Sequence, residues 1–211
     1  MANTSSTGGY LTPNYAIAPT IDDDFIDIIQ EMVCGISGID GHLMFPRWQI
    51  DPPSMPDYTV TWGALGVSER RADTYASTIH ISEDEGHDIL IRQEEVDVMV
   101  SFYGPSSGTY VLQLREGLQI KQNVEVLFDN GLALVETSDI ASTAEYVNQR
   151  WMGRYDITLT IRRLIQLIYG IQNVLSSQGV VTTGQYQTQY DTDTLLEPVG
   201  NPLTDTSEEG E

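Results

Sequence analysis

Basic residues, cysteine and long apolar runs are all scarce in this chain of 211 residues. It has one lysine and nine arginines against 31 acidic residues, which gives a formal charge of −21. A surface that binds nucleic acid or anionic lipid needs clustered cations, so this balance argues against both kinds of partner. The single cysteine, Cys34, excludes a disulfide framework and any metal site built from several cysteines.

Apolar runs are also short, and none reaches the roughly 18 residues that a membrane-spanning helix needs. The first residues lack the basic stretch and the following apolar stretch of a secretory signal, so none is expected. The length predicts one domain with an appendage. These features indicate an acidic protein of a reducing compartment or of a virus particle, with no membrane partner.

Composition divides the chain into an arm, a domain and a tail. Residues 1–20 are small and polar and are predicted to form an extended N-terminal arm. Tyr10 and Tyr15 within it are candidate partner contacts, although packing of the arm on its own domain explains them equally well. Residues 21–183 are predicted to form the folded domain.

The C-terminal tail, residues 184–211, is predicted to be an acidic appendage that a partner would order. Its last 21 residues contain seven acids and no base. Tyr186 and Tyr190 alternate with glutamine in a polar stretch, which is typical of docking residues and equally of an extra edge strand.

The first predicted helix begins at three consecutive aspartates, Asp22 to Asp24. Carboxylates at this position accept hydrogen bonds from the free N–H groups and suit the positive end of the helix dipole. Helix capping is therefore favoured over a cation site as the role of these aspartates. Gly35 and Gly38 mark its end. One apolar stripe follows at helical spacing, made of Phe25, Ile28, Ile29, Met32, Val33 and Ile36.

Alternation of apolar and polar residues predicts a mainly β-structure for the rest of the domain. Strands are predicted at 43–48, 58–67, 76–81, 89–103, 132–136 and 155–161. Further helices are predicted at 106–118 and 122–129, with a helical turn at 144–149. Residues 164–175 fit a strand or a helix, and their β-branched residues favour a strand that continues to about Tyr169. The tryptophans Trp48, Trp62 and Trp151 flank these strands and are expected to fill the core.

Residues that carry chemistry are present without a recognised spacing, so no catalytic, cofactor-binding or metal-binding residue is predicted. The three histidines belong to no metal or catalytic motif. The acidic loop Glu83–Asp88 does not match a calcium loop, and a solvated hairpin tip is favoured there. With 31 carboxylates, a catalytic pair remains an alternative that the sequence alone does not test.

An ordered series of short motifs indicates a protein family more specifically than the composition does. Its members are Ser101, Phe102, Tyr103, Gly104 and Pro105, then Gln122 and Asn123, then Arg150, Trp151, Arg154 and Asp156. In this order they resemble the phage neck terminator proteins, a group similar to the tail terminators of long-tailed bacteriophages. The resemblance covers roughly residues 59–181.

The resemblance implies an α+β fold, in which a few helices pack on one side of a mostly antiparallel β-sheet, with extended N- and C-terminal arms. The motif residues are then fold determinants, and none is catalytic. It also implies a virion protein, assembled in the host cytoplasm, that forms a ring of six copies in the phage neck and needs no cofactor.

Such a ring would end polymerisation of the tail tube and join the tail to the head. Its expected partners are other copies of itself, the tail tube protein, the sheath as a further candidate, and the head connector or head-completion protein. Genomic DNA would pass through the channel without specific binding, beside an acidic wall to which the loop Glu83–Asp88 is one candidate contributor.

Three other functions remain open at this level. The chain is alternatively another structural subunit of the virion, such as a tail tube or head-completion protein. It is alternatively a small enzyme that acts through its carboxylates, or a cation-binding module that uses the acidic loop. The length of the polymer separates the virion alternatives, because a terminator stops at one closed ring and a tube protein forms filaments.

Overall fold

The computed structural model describes residues 3, 5, 7–17, 22–82, 86–147, 149–173, 178–183 and 186–191. The α-helices in this part of the chain are α1 (Asp22–Ser37), α2 (Ser107–Gly117) and α3 (Lys121–Asp129). The strands are β1 (Tyr15–Ile17), β2 (Met44–Pro46), β3 (Trp62–Ala72), β4 (Ser77–Ile81), β5 (His87–Tyr103), β6 (Leu132–Thr137), β7 (Ala141–Val147), β8 (Arg150–Tyr169), β9 (Gln178–Thr183) and β10 (Tyr186–Asp191).

Two long antiparallel strands, β5 and β8, form the centre of an eight-stranded sheet. Their ladder runs without a break from the pair Tyr103–Arg154 to the pair Asp88–Tyr169. The strands β3 and β4 pair with β5, while β7, β6 and β1 pair with β8. Only β2, which pairs with β3, is parallel in this sheet. The fold is therefore α+β with a mostly antiparallel sheet, as the resemblance implied.

The helices cover one face of the sheet. Successive residues of a strand point to opposite faces, and Val96, Val98, Val100 and Phe102 of β5 all face the helices and are fully buried. The stripe on α1 meets them through Phe25, Ile29, Met32 and Val33, and α2 contributes Val111, Leu114 and the following Leu118. Burial of each large apolar side chain contributes about 1.5–3 kcal/mol, so this layer holds the helices on the sheet.

A buried ion pair interrupts the apolar layer below α1. The Arg163 guanidinium donates from Nε to Glu94 Oε2 at 2.6 Å, and Nη2 lies 2.6 Å from the same oxygen. Both residues are buried, and the Arg163 charge lies 5.3 Å from the centre of the Phe25 ring. This cross-strand pair joins β5 to β8 where the apolar layer ends.

Most predicted elements are confirmed, and two are wrong. Residues 144–149 were predicted as a helical turn, but Ala141–Val147 form β7, because pairing with the long strand β8 overrides the weak local preference. Strand β3 begins at Trp62 instead of residue 58 and continues to Ala72. The prediction of a strand up to Tyr169 is confirmed. The further residues 174–175 lie outside the described part.

Both ends of the chain add short strands. The backbone of β1 pairs with the end of β8, whereas β9 and β10 form a separate two-stranded sheet. The boundaries predicted for the arm and the tail stay predictions, and residues 192–211 and Glu83–Glu85 lie outside the described residues. Among the described residues, no helix has the length and apolar character needed to cross a membrane.

Candidate assembly surfaces

Four motif residues meet on the face of the sheet opposite the helices. The Ser101 hydroxyl donates to the Asp156 carboxylate across the β5–β8 ladder, and Arg154 donates from Nε to the same carboxylate oxygen at 2.9 Å. Arg47 donates from Nη2 to Ser101 and, at 3.4 Å, to the Tyr103 hydroxyl. We call these five residues the Arg47 cluster. It joins the two central strands, β5 and β8, and the loop after β2 through one partly buried carboxylate.

An aromatic stack lies next to the Arg47 cluster. The rings of Trp62 and Tyr103 are stacked at a centroid distance of 4.1 Å, and Phe45 meets Trp62 edge-on at 5.9 Å. Met152 and Ala64 are buried against this stack. The motif residue Tyr103 therefore belongs to both groups, and Trp62 fills a core as expected.

The other motif residues lie elsewhere. Phe102 is buried under the helices, while Gly104 and Pro105 form the turn from β5 to α2. The Asn123 side-chain amide donates to a carbonyl at the end of α2 at 2.8 Å, which ties α3 to α2. Gln122 is exposed on α3. The motifs thus mark connections between elements as well as the sheet.

Sequence reasoning missed Arg47. No motif contains it, and 54 residues separate it from Ser101. The pairing of β3 with β5 brings the two together, and that pairing is visible only in three dimensions. A cation within the strand predicted at 43–48 was the one available signal, and it does not identify a partner.

A second polar group lies further along the same face. Arg71 donates to both oxygens of Asp97, at 2.6 and 3.0 Å, and the Thr160 hydroxyl donates to the same carboxylate at 2.7 Å. The hydrogen bonds from Arg71 are the main cause that lowers the pKa of Asp97. Arg162 donates to Glu95 at 2.5 Å in the next cross-strand row. This open face is therefore polar and internally paired.

The turn end of β7 and β8 presents exposed aromatic residues beside a cation. The Trp151 side chain is 73% exposed and lies against Tyr146 at a centroid distance of 5.1 Å. The Arg150 guanidinium lies 3.9 Å above the centre of the Tyr58 ring. A cleft of about 560 Å³ lies between these residues and the start of α2, and its described lining contains no acidic side chain. We call this surface the end cleft.

A second exposed apolar surface lies on the proline-rich loop after β2. Trp48, Ile50 and Met55 are all exposed, and Trp48 has a left-handed backbone with φ of 59°. The expectation that Trp48 and Trp151 fill the core is therefore wrong. Exposed tryptophan is enriched in protein–protein contacts, because one large rigid ring buries much area at a low entropic cost.

The candidate contacts of the chain ends are placed only in part. Tyr10 is 95% exposed, and the backbone of Tyr15 pairs with Ile168 in β8. Tyr186 and Tyr190 lie in β10, where the backbone pairs with β9. Their role as partner contacts stays a prediction.

The described residues hold no group of three or more histidine, cysteine, aspartate or glutamate side chains arranged to bind a metal. Burial, followed by the nearby charge of Asp40, raises the pKa of the Cys34 thiol. The thiol therefore stays protonated at neutral pH. His80 lies between Asp88 (2.6 Å) and Asn173 (2.8 Å), and these hydrogen bonds raise its pKa.

A family model described as phage neck terminator protein matches residues 23–185, well over half of the chain. The chain belongs to the phage neck terminator family. This is a family of structural proteins of the bacteriophage neck, as the motif series indicated. A search among curated proteins found no match.

The neck terminator match begins in α1 and ends between β9 and β10. It therefore takes in every described helix and the whole eight-stranded sheet except β1. The Arg47 cluster, the end cleft and the proline-rich loop all lie within it. The matched residues thus carry both the polar face and the exposed tryptophans of this chain.

Proposed function

We propose that this protein forms a closed ring, of six copies, in the neck of a tailed phage, where it ends tail-tube polymerisation and joins the tail to the head connector. The observation that carries this proposal is the family match, which spans the whole central fold. A subunit that joins two different structures needs two different contact surfaces, and a heterologous contact that closes on itself gives a ring.

The long sheet separates two chemically different ends, which supports this role. At about 3.3 Å per residue, the 20 residues of β8 span about 65 Å from the end cleft to the far end of the sheet. The end cleft offers exposed aromatic rings and an arginine, whereas the far end offers isoleucines on β4 and β5. Each end therefore suits its own partner.

The negative charge of the chain fits a protein that works beside DNA without binding it. Contacts that release counterions would hold the duplex, whereas acidic side chains repel its phosphates. We propose that genomic DNA passes through the ring along an acidic wall, and that the ring assembles in the host cytoplasm before it enters the virion. No catalytic step is part of this function.

Native mass spectrometry of the purified chain, alone and with the tail tube protein of the same phage, tests this proposal. We expect a closed six-copy ring with either sample and an end-to-end complex of ring and tube with the second. Filaments made by the chain alone would instead identify a tube subunit. A chain that stays monomeric with the tube protein present overturns the proposal.

Two matched variants test whether the end cleft is a contact surface in the ring or with the tube. Trp151→Ala removes an exposed ring and is expected to leave the thermal unfolding temperature within about 2 °C, because surface substitutions change stability little. We expect it to weaken ring formation or tube binding at least tenfold. Tyr75→Ala, which removes another exposed ring, is the control and should leave both unchanged. Equal behaviour of the two variants would exclude the end cleft as a contact.

A further inference from the structure

The two strands of the β9–β10 hairpin form a backbone ladder only with each other among the described residues. Its six backbone pairs, from Tyr186–Thr183 to Asp191–Gln178, form a two-stranded sheet that shares no ladder with the eight-stranded sheet. An isolated two-stranded hairpin is marginally stable in water, and three or more strands are needed for independent stability. The hairpin therefore requires a further strand or surface.

The main sheet offers one edge strand that lacks the usual protection against pairing. Edge strands are protected by charge, proline, bulges or short length. Among the described edges, β1 has three residues, β2 contains Pro46, and β6 carries a bulge and Glu136. The free edge of β3 carries Glu69 to Arg71, and β7 carries Glu145. Among these edges, β4, with the sequence Ser-Thr-Ile-His-Ile, has five residues and no acid, lysine, arginine, proline or bulge, and its one titratable side chain, His80, is bound to Asp88 and Asn173.

Charge also favours a contact between these two segments. Copies of a chain with a net charge of −21 repel one another, so contacts between copies are least costly where acids are few. The 14 residues 178–191 contain one acid, Asp191, and β4 contains none. Both segments are rich in β-branched residues, which favour a strand.

The chain passes the end of β4 shortly before the hairpin begins. The Asn173 side-chain amide donates to the Ser82 carbonyl at 2.9 Å, and its oxygen lies 2.8 Å from His80 Nε2. The hairpin begins five residues later, at Gln178, yet it does not pair with β4 of its own chain. The hairpin therefore follows closely on the β4 edge without adding to it, which leaves that edge open to the hairpin of a neighbouring copy.

We propose that the β9–β10 hairpin of one copy adds to the edge of β4 of the next copy and extends its sheet. The main-chain hydrogen bonds would supply the affinity, as in other cases of strand addition. Each copy would give one hairpin and receive one, which is the heterologous contact that closes a ring. This inference rests on the proposed ring and names the contact that builds it.

Disulfide cross-linking between two distinguishable full-length chains tests the contact. Both chains carry Cys34→Ser, and they are co-expressed with tags of different mass. One carries Thr78→Cys on β4, and the other carries one cysteine at a position in 181–183 or 187–189. Facing positions on neighbouring strands lie about 4.5–5.5 Å apart, which a disulfide spans. We expect at least one donor position to give a mixed dimer on a non-reducing gel.

In the control, the acceptor chain keeps Thr78 and carries Leu112→Cys instead, at an exposed position on α2. This pair of chains should give no mixed dimer. A ring that forms without a mixed dimer from any donor position overturns this inference and leaves the ring proposal intact. Equal cross-linking with the control acceptor also overturns it. A chain that stays monomeric under all conditions overturns the ring proposal, and this inference with it.

A charge placed on the edge gives a second measurement. Ile79→Lys adds a cation to β4, where it should weaken association of the copies at least tenfold by sedimentation. Tyr75→Lys adds the same charge in the connection before β4, at an exposed position, and should weaken it less than twofold. Circular dichroism checks that both variants fold. Equal effects of the two variants contradict strand addition at β4.

Discussion

At the scale of single residues, one aspartate links side chains from three strands on the polar face of the sheet. Asp97 accepts two hydrogen bonds from Arg71 and one from Thr160, so three strands are joined at one residue. Ion pairs between exposed groups add little to stability, but a bidentate arginine fixes geometry. Specific polar pairing therefore joins the strands on this part of the open face.

The pKa of Asp97 gives a pH test of this arrangement. The hydrogen bonds from Arg71 lower it, so the folded chain holds the proton more weakly than the unfolded chain. The resulting stabilisation is present above the ordinary pKa of about 3.9 and is lost as the pH falls through the lowered value. A carboxyl-detected NMR titration should place the Asp97 midpoint below about 3.9 in the native chain.

The variant Arg71→Gln should raise that midpoint, because the cation that favours the carboxylate is gone. Arg115→Gln is the matched control, since Arg115 pairs with its neighbour Glu116 and should leave the Asp97 midpoint in place. An Asp97 midpoint that does not move in Arg71→Gln would contradict the assigned cause.

The turn from β5 to α2 depends on a glycine. Gly104 has φ of +99°, and a Cβ at this position would lie 2.7 Å from the Val60 carbonyl oxygen. Gly131, after α3, also has a positive φ, of +70°, but a Cβ there meets no atom within 4 Å. Comparing substitutions at these two glycines separates the free-energy cost of the left-handed backbone from the cost of the close contact.

We expect Gly131→Ala to lower the free energy of unfolding by about 1–2 kcal/mol, which is the cost of a left-handed backbone with a Cβ. Gly104→Ala should cost at least about 1 kcal/mol more, because overpacking against backbone adds to that strain. Urea unfolding followed by circular dichroism measures both. Equal losses would mean that the turn relaxes without cost.

At the level of elements, hydrophobic periodicity predicted the helices and strands that have one buried face. The stripe of α1 and the alternation of β5 are strong because each element has one buried face, and both predictions are confirmed. The strand β7 was missed because most of its residues with described side chains are exposed, and only pairing with β8 makes it a strand.

The candidate surfaces were less predictable than the buried faces, because exposure depends on contacts between elements that are distant in sequence. The sequence pattern does not distinguish a tryptophan that packs inside from one that lies on the surface, and Trp62 differs from Trp151 only in its neighbours. The motif series did predict the family, because the order of short motifs can be read directly from the sequence and does not depend on knowing which residues are in contact.

For the whole molecule, the charge predicts how salt affects assembly. Copies that each carry −21 repel one another, and dissolved ions screen this repulsion over about 10 Å at 0.1 M. We expect self-association to strengthen several-fold between about 20 mM and about 300 mM NaCl. Sedimentation velocity at both concentrations measures this. Association that weakens with salt would indicate contacts made by ion pairs instead of neutral strands.

The unbroken ladder between β5 and β8 has a mechanical consequence. Its 16 backbone pairs lie perpendicular to the strands, so a pull along the strand axis loads them together in shear. A pull across the strands would open the pairs one after another, at a much lower force. A neck under the pressure of packaged DNA would gain most from subunits whose two long strands lie along the direction of load.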